Sequence, residues 1–116
     1  MSTERVLDLD DLPVGHARAI EVGGEPICLV RLDEATVKAV HDTCSHQQYS
    51  LAEGWIDADD NTIECAKHGS AFDLDSGEPQ SLPAVKPIPV YGCEVRDGGV
   101  WVDQADQLND APVPRH

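Results

Sequence analysis

Four side chains combine the chemistry and the spacing of metal ligands. Cys44 and His46 stand in the run Cys44-Ser45-His46. After eighteen intervening residues, Cys65 and His68 follow in Cys65-Ala66-Lys67-His68. A thiolate and an imidazole two or three positions apart on a turn can be aimed into one site. Two such loops supply two sulfur and two nitrogen donors. Zinc accepts that set in a tetrahedron. A two-iron, two-sulfide cluster accepts it with the thiolates on one iron and the imidazoles on the other. Zinc modules usually pair like ligands, C-x2-4-C and then H-x3-5-H. Here each half is mixed, which favours the cluster and leaves a non-redox module with a structural Cys2His2 zinc site as the alternative. Gly69 follows His68 directly, where the backbone must turn tightly.

The remaining residues of these types read more plainly. Cys28 lies in the apolar run Ile27-Cys28-Leu29-Val30 and Cys93 in the last predicted hairpin, both as small buried hydrophobes rather than ligands. His16, His41 and His116 read as surface residues, and Trp55 and Trp101 as packing residues.

The elements that must position the ligands are strands. Ala17–Val22 and Glu25–Leu32 read as a hairpin about Gly23-Gly24, a pair that supplies the positive φ angles of a two-residue turn. Thr36–His41 alternates as a third strand. Asn61–Cys65 and Ala71–Leu74 are short strands. Val85–Val95 is extended, and its Pro87 and Pro89 suggest an edge strand or a bulge. A final hairpin runs Cys93–Val102 about Asp97-Gly98-Gly99. No window carries a 3.6-residue apolar period, so the fold class is all-β. The flanks, 1–42 and 85–103, are ordinary strand and turn. The stretch 43–84 is poor in strand and rich in Cys, His, Gly and Pro, as a small ligand-holding lobe inserted into the sheet. One domain over 1–103 and an acidic flexible tail over 104–116 are expected.

Composition bounds the partners. The chain has 116 residues and a net charge of -14, with 22 acidic against 8 basic residues. That balance opposes phosphate binding and excludes a nucleic-acid partner. It suits solubility and electrostatic docking onto basic faces of other proteins. No apolar run reaches the length needed to span a bilayer. The N-terminus carries Glu4, Asp8, Asp10 and Asp11 and no basic or apolar leader segment, so the expected location is the cytoplasm. Four cysteines in that reducing compartment serve as ligands or buried groups before they serve as disulfides.

The two ligand runs with their flanks resemble the cluster loops of Rieske proteins. The likeness is carried by Cys44-Ser45-His46 with Ser50-Leu51-Ala52-Glu53-Gly54, and by Cys65-Ala66-Lys67-His68-Gly69-Ser70-Ala71-Phe72-Asp73 with Ser76-Gly77. Leu82-Pro83-Ala84 resembles the family's proline loop, which covers the cluster from a third side. Pro87-Ile88-Pro89-Val90-Tyr91 and Val100-Trp101-Val102 resemble the C-terminal strands of Rieske ferredoxins. The resemblance implies the Rieske iron–sulfur fold, an antiparallel sandwich or barrel base with an inserted lobe. It implies one [2Fe–2S] cluster per chain, with Cys44 and Cys65 on the inner iron and His46 and His68 on the outer one. Gln47, Gln48, Tyr49, Gly69 and Ser70 would then offer backbone N–H groups to the sulfurs, and Pro83 would shield the cluster.

Departures from the family narrow the kind. The second cysteine of each loop in respiratory Rieske proteins, which form a disulfide, is replaced here by Tyr49 and Lys67. The serine donor to the cluster is matched by Ser70. Phe72 stands where those proteins place a tyrosine hydroxyl. Fewer donors and a net charge of -14 both disfavour an added electron, so the expected potential is low in the Rieske range, about -150 mV. A Rieske oxygenase needs a mononuclear iron site on a further domain, and no such domain is legible. The small subunit of nitrite reductase shares the fold, often without the ligands present here. The resemblance therefore implies the soluble ferredoxin component of a non-heme iron dioxygenase system. Such a protein is an electron carrier and not an enzyme. It is expected to act as a monomer, taking electrons from a ferredoxin reductase and giving them to an oxygenase. A ferredoxin serving iron–sulfur cluster assembly resembles the sequence as well.

Overall fold

The computed structural model describes residues 4–45, 49–66, 69–80 and 86–113. Among the described residues nine strands follow in order: β1 Glu4–Asp8, β2 Ala17–Val22, β3 Glu25–Arg31, β4 Val37–His41, β5 Trp55–Asp57, β6 Thr62–Glu64, β7 Ala71–Asp73, β8 Val90–Arg96 and β9 Gly99–Gln107. The only helical pieces among the described residues are two single 3-10 turns, Leu9–Asp11 and Leu51–Glu53. No helix there is long and apolar enough to cross a membrane. Six strands form an antiparallel sheet in the order β1-β9-β8-β4-β3-β2, nearly closed as a barrel, and β5-β6-β7 form a second, smaller sheet. The all-β expectation holds, and the small sheet falls within the lobe expected from the sequence.

Two turns set the register of the large sheet. Gly23 and Gly24 take φ of +60° and +85°, and Val22 then pairs with Glu25. Asp97 and Gly98 take φ of +52° and +71°, and Arg96 pairs with Gly99. Positive φ at both central residues matches the right-handed twist of the flanking strands.

β3 explains why the sheet has two cores. Ile27, Cys28, Leu29 and Val30 are all fully buried, so alternate side chains serve opposite faces. Cys28 and Val30 join Val40, Leu51, Ile63, Phe72, Leu74, Ile88 and Val90 between sheet and lobe. Ile27 and Leu29 join Leu12, Val37, Ala39, Tyr91, Val100 and Val102 on the other side.

Several elements differ from the sequence reading. β8 is interior, between β9 and β4, and not an edge strand. Pro87 and Pro89 precede it, and their missing N–H groups therefore cost the ladder nothing. The expected irregularity is present as a register shift between Tyr91 and Gly92. β1 pairs with β9 through contacts distant in sequence, and only its partly buried Val6 and Leu7 hint at it. β9 continues past residue 103, where the tail was expected to begin, to Gln107. Beyond it, Leu108 N–H donates to Val90 O at 2.7 Å, and Ala111 is buried. This segment is held by hydrogen bonds rather than by an apolar pattern, which is why its acidic, proline-bearing sequence reads as a tail.

Candidate metal centre

Cys44 and Cys65 each open a loop of the same construction. Cys44 N–H donates to Tyr49 O at 3.0 Å, and Cys65 N–H donates to Ser70 O at 2.7 Å. In both, the acceptor lies five residues ahead. Both loops are also framed by an antiparallel pair of equal span, Thr43 with Ser50 and Glu64 with Ala71. Each loop thus has a cysteine at its first position and one histidine in its interior, His46 or His68. The two loops are thus equivalent in their closing bond and in the pair that frames them.

The two cysteine side chains are fully buried and lie in the core cluster between sheet and lobe. His46, Gln47, Gln48, Lys67, His68 and Pro83 lie outside the described residues. No three metal-donor side chains meet among the described residues, and Cys44 and Cys65 are two members of one buried core cluster. Buried thiols, in loops that each carry an imidazole, fit a centre with two sulfur and two nitrogen ligands. Cys28 shares the core but lies in β3, outside both loops. Burial and then the Asp42 charge push its thiol well above the ordinary cysteine range. It is a buried hydrophobe, as its sequence context suggested.

Gly69 is placed as the turn demands. Its φ is +73°, which a side chain would strain, and its N–H donates to Cys65 O at 3.0 Å. That N–H, expected to face a sulfur, is engaged in closing the loop. Ser70 is fully buried, which suits the donor role expected of it. Tyr49 is 42% exposed at the mouth of the first loop. Ser45 Oγ donates to Lys86 O at 2.6 Å, tying the first loop to the chain leaving residues 81–85.

The support beneath the first loop was not legible. Asp42 is buried, and its Oδ1 accepts from Ala52 N–H at 3.0 Å while its carbonyl accepts from Leu51 N–H at 2.7 Å. It therefore holds the 3-10 turn Leu51–Glu53 against the end of β4. His41, expected on the surface, is 1% exposed. Its Nε2 lies 3.0 Å from Glu25 Oε1, and its Nδ1 accepts from Thr43 N–H at 3.2 Å. A neutral imidazole with its proton on Nε2 satisfies both contacts. The signal missed was the Glu25–His41 pairing, which exists only once β3 and β4 are in register. Gly54 connects the two loops: a Cβ there would sit 1.7 Å from Glu64 O, so only glycine lets the first loop's exit lie against β6. Trp55, read as a packing residue, is 61% exposed, whereas Trp101 is half-buried and donates from Nε1 to Arg96 O at 3.2 Å.

Comparison with known proteins follows this geometry. The Rieske [2Fe-2S] domain family matches residues 2–92. Ferredoxin CarAc of Metapseudomonas resinovorans is 37% identical over 99 residues, covering 84% of this chain and 90% of that one. The structure of the ferredoxin of carbazole 1,9a-dioxygenase from Nocardioides aromaticivorans IC177 superposes with a TM-score of 0.83 at 33% identity. That match covers 88% of this chain and 97% of the other. A ferredoxin seen in a complex of reduced oxygenase and oxidized ferredoxin of carbazole 1,9a-dioxygenase superposes with a TM-score of 0.81 at 34% identity, over 91% and 96% of the two chains. Two cysteine-headed loops of equal span on an all-β base, matched along nearly the full length of these relatives, place the chain in the Rieske [2Fe–2S] domain family, whose members carry one [2Fe–2S] cluster.

Proposed function

We propose that this chain is a one-electron carrier that receives electrons from a ferredoxin reductase and delivers them to a terminal oxygenase in the cytoplasm. The observation that carries the reading is the pair of equivalent loops, 44–49 and 65–70, in a chain that matches ferredoxin components over almost their whole length. Cys44 and Cys65 would hold one iron as thiolates, and His46 and His68 the other through ring nitrogens. When bound, the cluster takes up and releases a single electron, with a potential raised by its imidazole ligands.

The chain's own residues do the rest. Burial of Cys44 and Cys65 keeps water from the thiolates. Ser70, with Tyr49, Gln47 and Gln48, would present donors to the sulfurs, and Gly69 would shape the turn that aims them. Pro83 would cover the third side. Phe72 is fully buried and offers no hydroxyl, which supports a potential in the low part of the Rieske range. The net charge of -14 suits brief encounters with basic faces of partners, in which the monomer docks, transfers and leaves.

The deciding measurement is EPR of dithionite-reduced protein with iron and acid-labile sulfide analysis. A rhombic signal with an average g value below that of the free electron is expected, with two irons and two sulfides per chain. One zinc and no sulfide after anaerobic purification would overturn the reading. Reoxidation of the reduced protein by a terminal oxygenase should slow as ionic strength rises.

A further inference from the structure

The chain has two tryptophans, and each faces a glutamate directly across an antiparallel pair of strands. Trp101 of β9 pairs with Glu94 of β8, and Trp55 of β5 pairs with Glu64 of β6. Directly opposed residues project from the same face of a sheet, so each indole lies beside a carboxylate. The Trp101 pair is completed from within the chain. Arg96 stands two residues from Glu94 toward the turn, with its guanidinium 4.1 Å from the indole centroid and its Nε 3.7 Å from Glu94 Oε1. One cation thus stacks on the ring and neutralises the carboxylate beside it.

The Trp55 pair lacks that third member. The corresponding place, two residues from Glu64 toward the turn, holds Thr62, and Asp57 lies opposite it. Among the described residues no ion pair includes Glu64. The run 50–66 carries five acids, Glu53, Asp57, Asp59, Asp60 and Glu64, and no lysine or arginine. Trp55 lies on an edge strand of the small sheet, and its ring is open to solvent. With Asp57, Asp59, Asp60, Thr62 and Glu64 it lines an open groove of about 450 Å³. Ile63 and Phe72 turn the opposite face of this sheet to the core, so the Trp55 face is the outer one. The row Trp55, Glu64, Ala71 is the last before Cys65 and the loop it heads.

We infer that the outer face of the small sheet is a docking surface for a protein partner that presents an arginine, whose guanidinium stacks on Trp55 and pairs with Glu64 as Arg96 does with Trp101 and Glu94. The inference rests on the proposed electron-carrier reading, which supplies a partner with a basic face. Arginine fits better than lysine because a planar guanidinium stacks on an aromatic ring while its edge meets a carboxylate. A lysine ammonium is a compact, strongly hydrated charge. An exposed aromatic anchor within a charged rim also has the anatomy of a binding hot spot. A phosphate-bearing partner is repelled by the same carboxylates.

The test titrates hexa-arginine and hexa-lysine against the oxidised protein as purified, at low ionic strength. The net charge of -14 draws both peptides. Hexa-arginine is expected to bind about two- to fivefold more tightly, the scale of an exposed cation–π contact. Trp55→Leu keeps apolar bulk at an exposed site and should erase that preference, and Glu64→Gln should reduce it. Trp101→Phe, at a ring already covered by Arg96, should leave it intact. In NMR spectra of the wild type, the Trp55 indole N–H signal should move on binding and the Trp101 signal should stay. Equal affinity for the two peptides, or a preference that survives Trp55→Leu, would overturn the inference. Equal movement of both indole signals would do so without any variant. With a terminal oxygenase, Trp55→Leu should raise the KM for the reduced carrier by a similar factor, with kcat and midpoint potential unchanged. An unchanged KM would take the partner off this face. The peptide titration involves no electron transfer. Absence of a histidine-ligated EPR signal from the wild type would therefore remove the proposed function and leave the arginine preference standing.

Discussion

In the six-stranded sheet, β3 buries Ile27 through Val30 without a break, and both faces of that strand are covered. In the inserted lobe, β5 buries no residue, β6 buries Ile63 alone and β7 buries Phe72 alone. Three-residue strands with one apolar anchor each cannot bury enough surface to offset the entropy of ordering them. The lobe instead shares the core beneath it, where Leu51, Ile63, Phe72 and Leu74 pack with Cys28, Val30 and Val40 of the sheet, and it adds polar ties. Lys38 Nζ reaches Asp75 Oδ1 at 2.8 Å, Asn61 donates to Asp75 Oδ2 at 2.9 Å, Asp42 Oδ1 accepts from Ala52 N–H in the 3-10 turn, and Asn109 Nδ2 donates to Ser76 O and Ile88 O. The contrast assigns a division of labour. Apolar area stabilises the scaffold on both faces, while the lobe depends on the one core it shares with the sheet, on polar keys and on the metal–ligand bonds of the proposed centre.

Removing a proposed ligand should separate the two regions most sharply. Cys65→Ser is expected to abolish iron and sulfide binding and to release the amides of β6 and β7 to rapid hydrogen exchange, while β3 amides stay protected. The reason is that a metal centre contributes folding free energy only to the elements it cross-links. Equal loss of protection in β3 would mean that sheet and lobe form one cooperative unit, and the contrast would fail.

The complementary change attacks the scaffold. Leu29 is fully buried on the face of β3 away from the lobe. Leu29→Ala should cost about 2–5 kcal/mol of global stability, the usual range for a core leucine. The visible spectrum and midpoint potential of the protein that remains folded should be unchanged. Chemical denaturation gives the first quantity and electrochemistry the second. A shifted potential would show that the two cores are mechanically coupled across β3.

These expectations also show what the sequence could disclose. Gly23-Gly24 and Asp97-Gly98 announce their hairpins, because positive φ is local chemistry that few residues satisfy. Cys44, His46, Cys65 and His68 read as a donor set, because mixed Cys–His pairs at short spacing have few other uses; of the four, the structure describes the two cysteines, both buried. What escaped depends on distant partners. β1 is a strand only because β9 lies beside it, and β8 is interior only because β9 and β4 flank it. His41 is buried because the β3–β4 register brings Glu25 to its ring, and Asn109 matters because Ser76, Ile88 and Val90 converge on it. Polar residues in acidic surroundings read as solvent-facing until such partners are known. Tertiary hydrogen bonds leave no periodicity behind.

The smallest effect distinguishes the scaffold's own thiols from the proposed ligand pair. Cys93 sits on β8 against the core on the far side of the large sheet, and burial pushes its thiol up to about 12 despite the nearby Lys38 charge. In the unfolded chain the same thiol titrates near 9. The folded state therefore holds its proton more tightly. Its contribution to stability is complete below pH 9 and is lost as pH rises from there toward 12. Cys93→Ala should flatten that alkaline decline measured by denaturant unfolding, and should leave the unfolding curve's shape below neutral pH as it was. Cys93 in the native protein should also resist iodoacetamide at pH 8.5, where an exposed thiol has enough thiolate to react. An unchanged alkaline slope in the variant would place the titrating group elsewhere, with Cys28 on the lobe-facing side of β3 the next to replace, since its thiol is raised by burial and by Asp42. If Cys28 proved responsible, the pH-sensitive thiol would lie in the core that also holds Cys44 and Cys65, and the boundary between scaffold and lobe would have to be drawn through β3 itself.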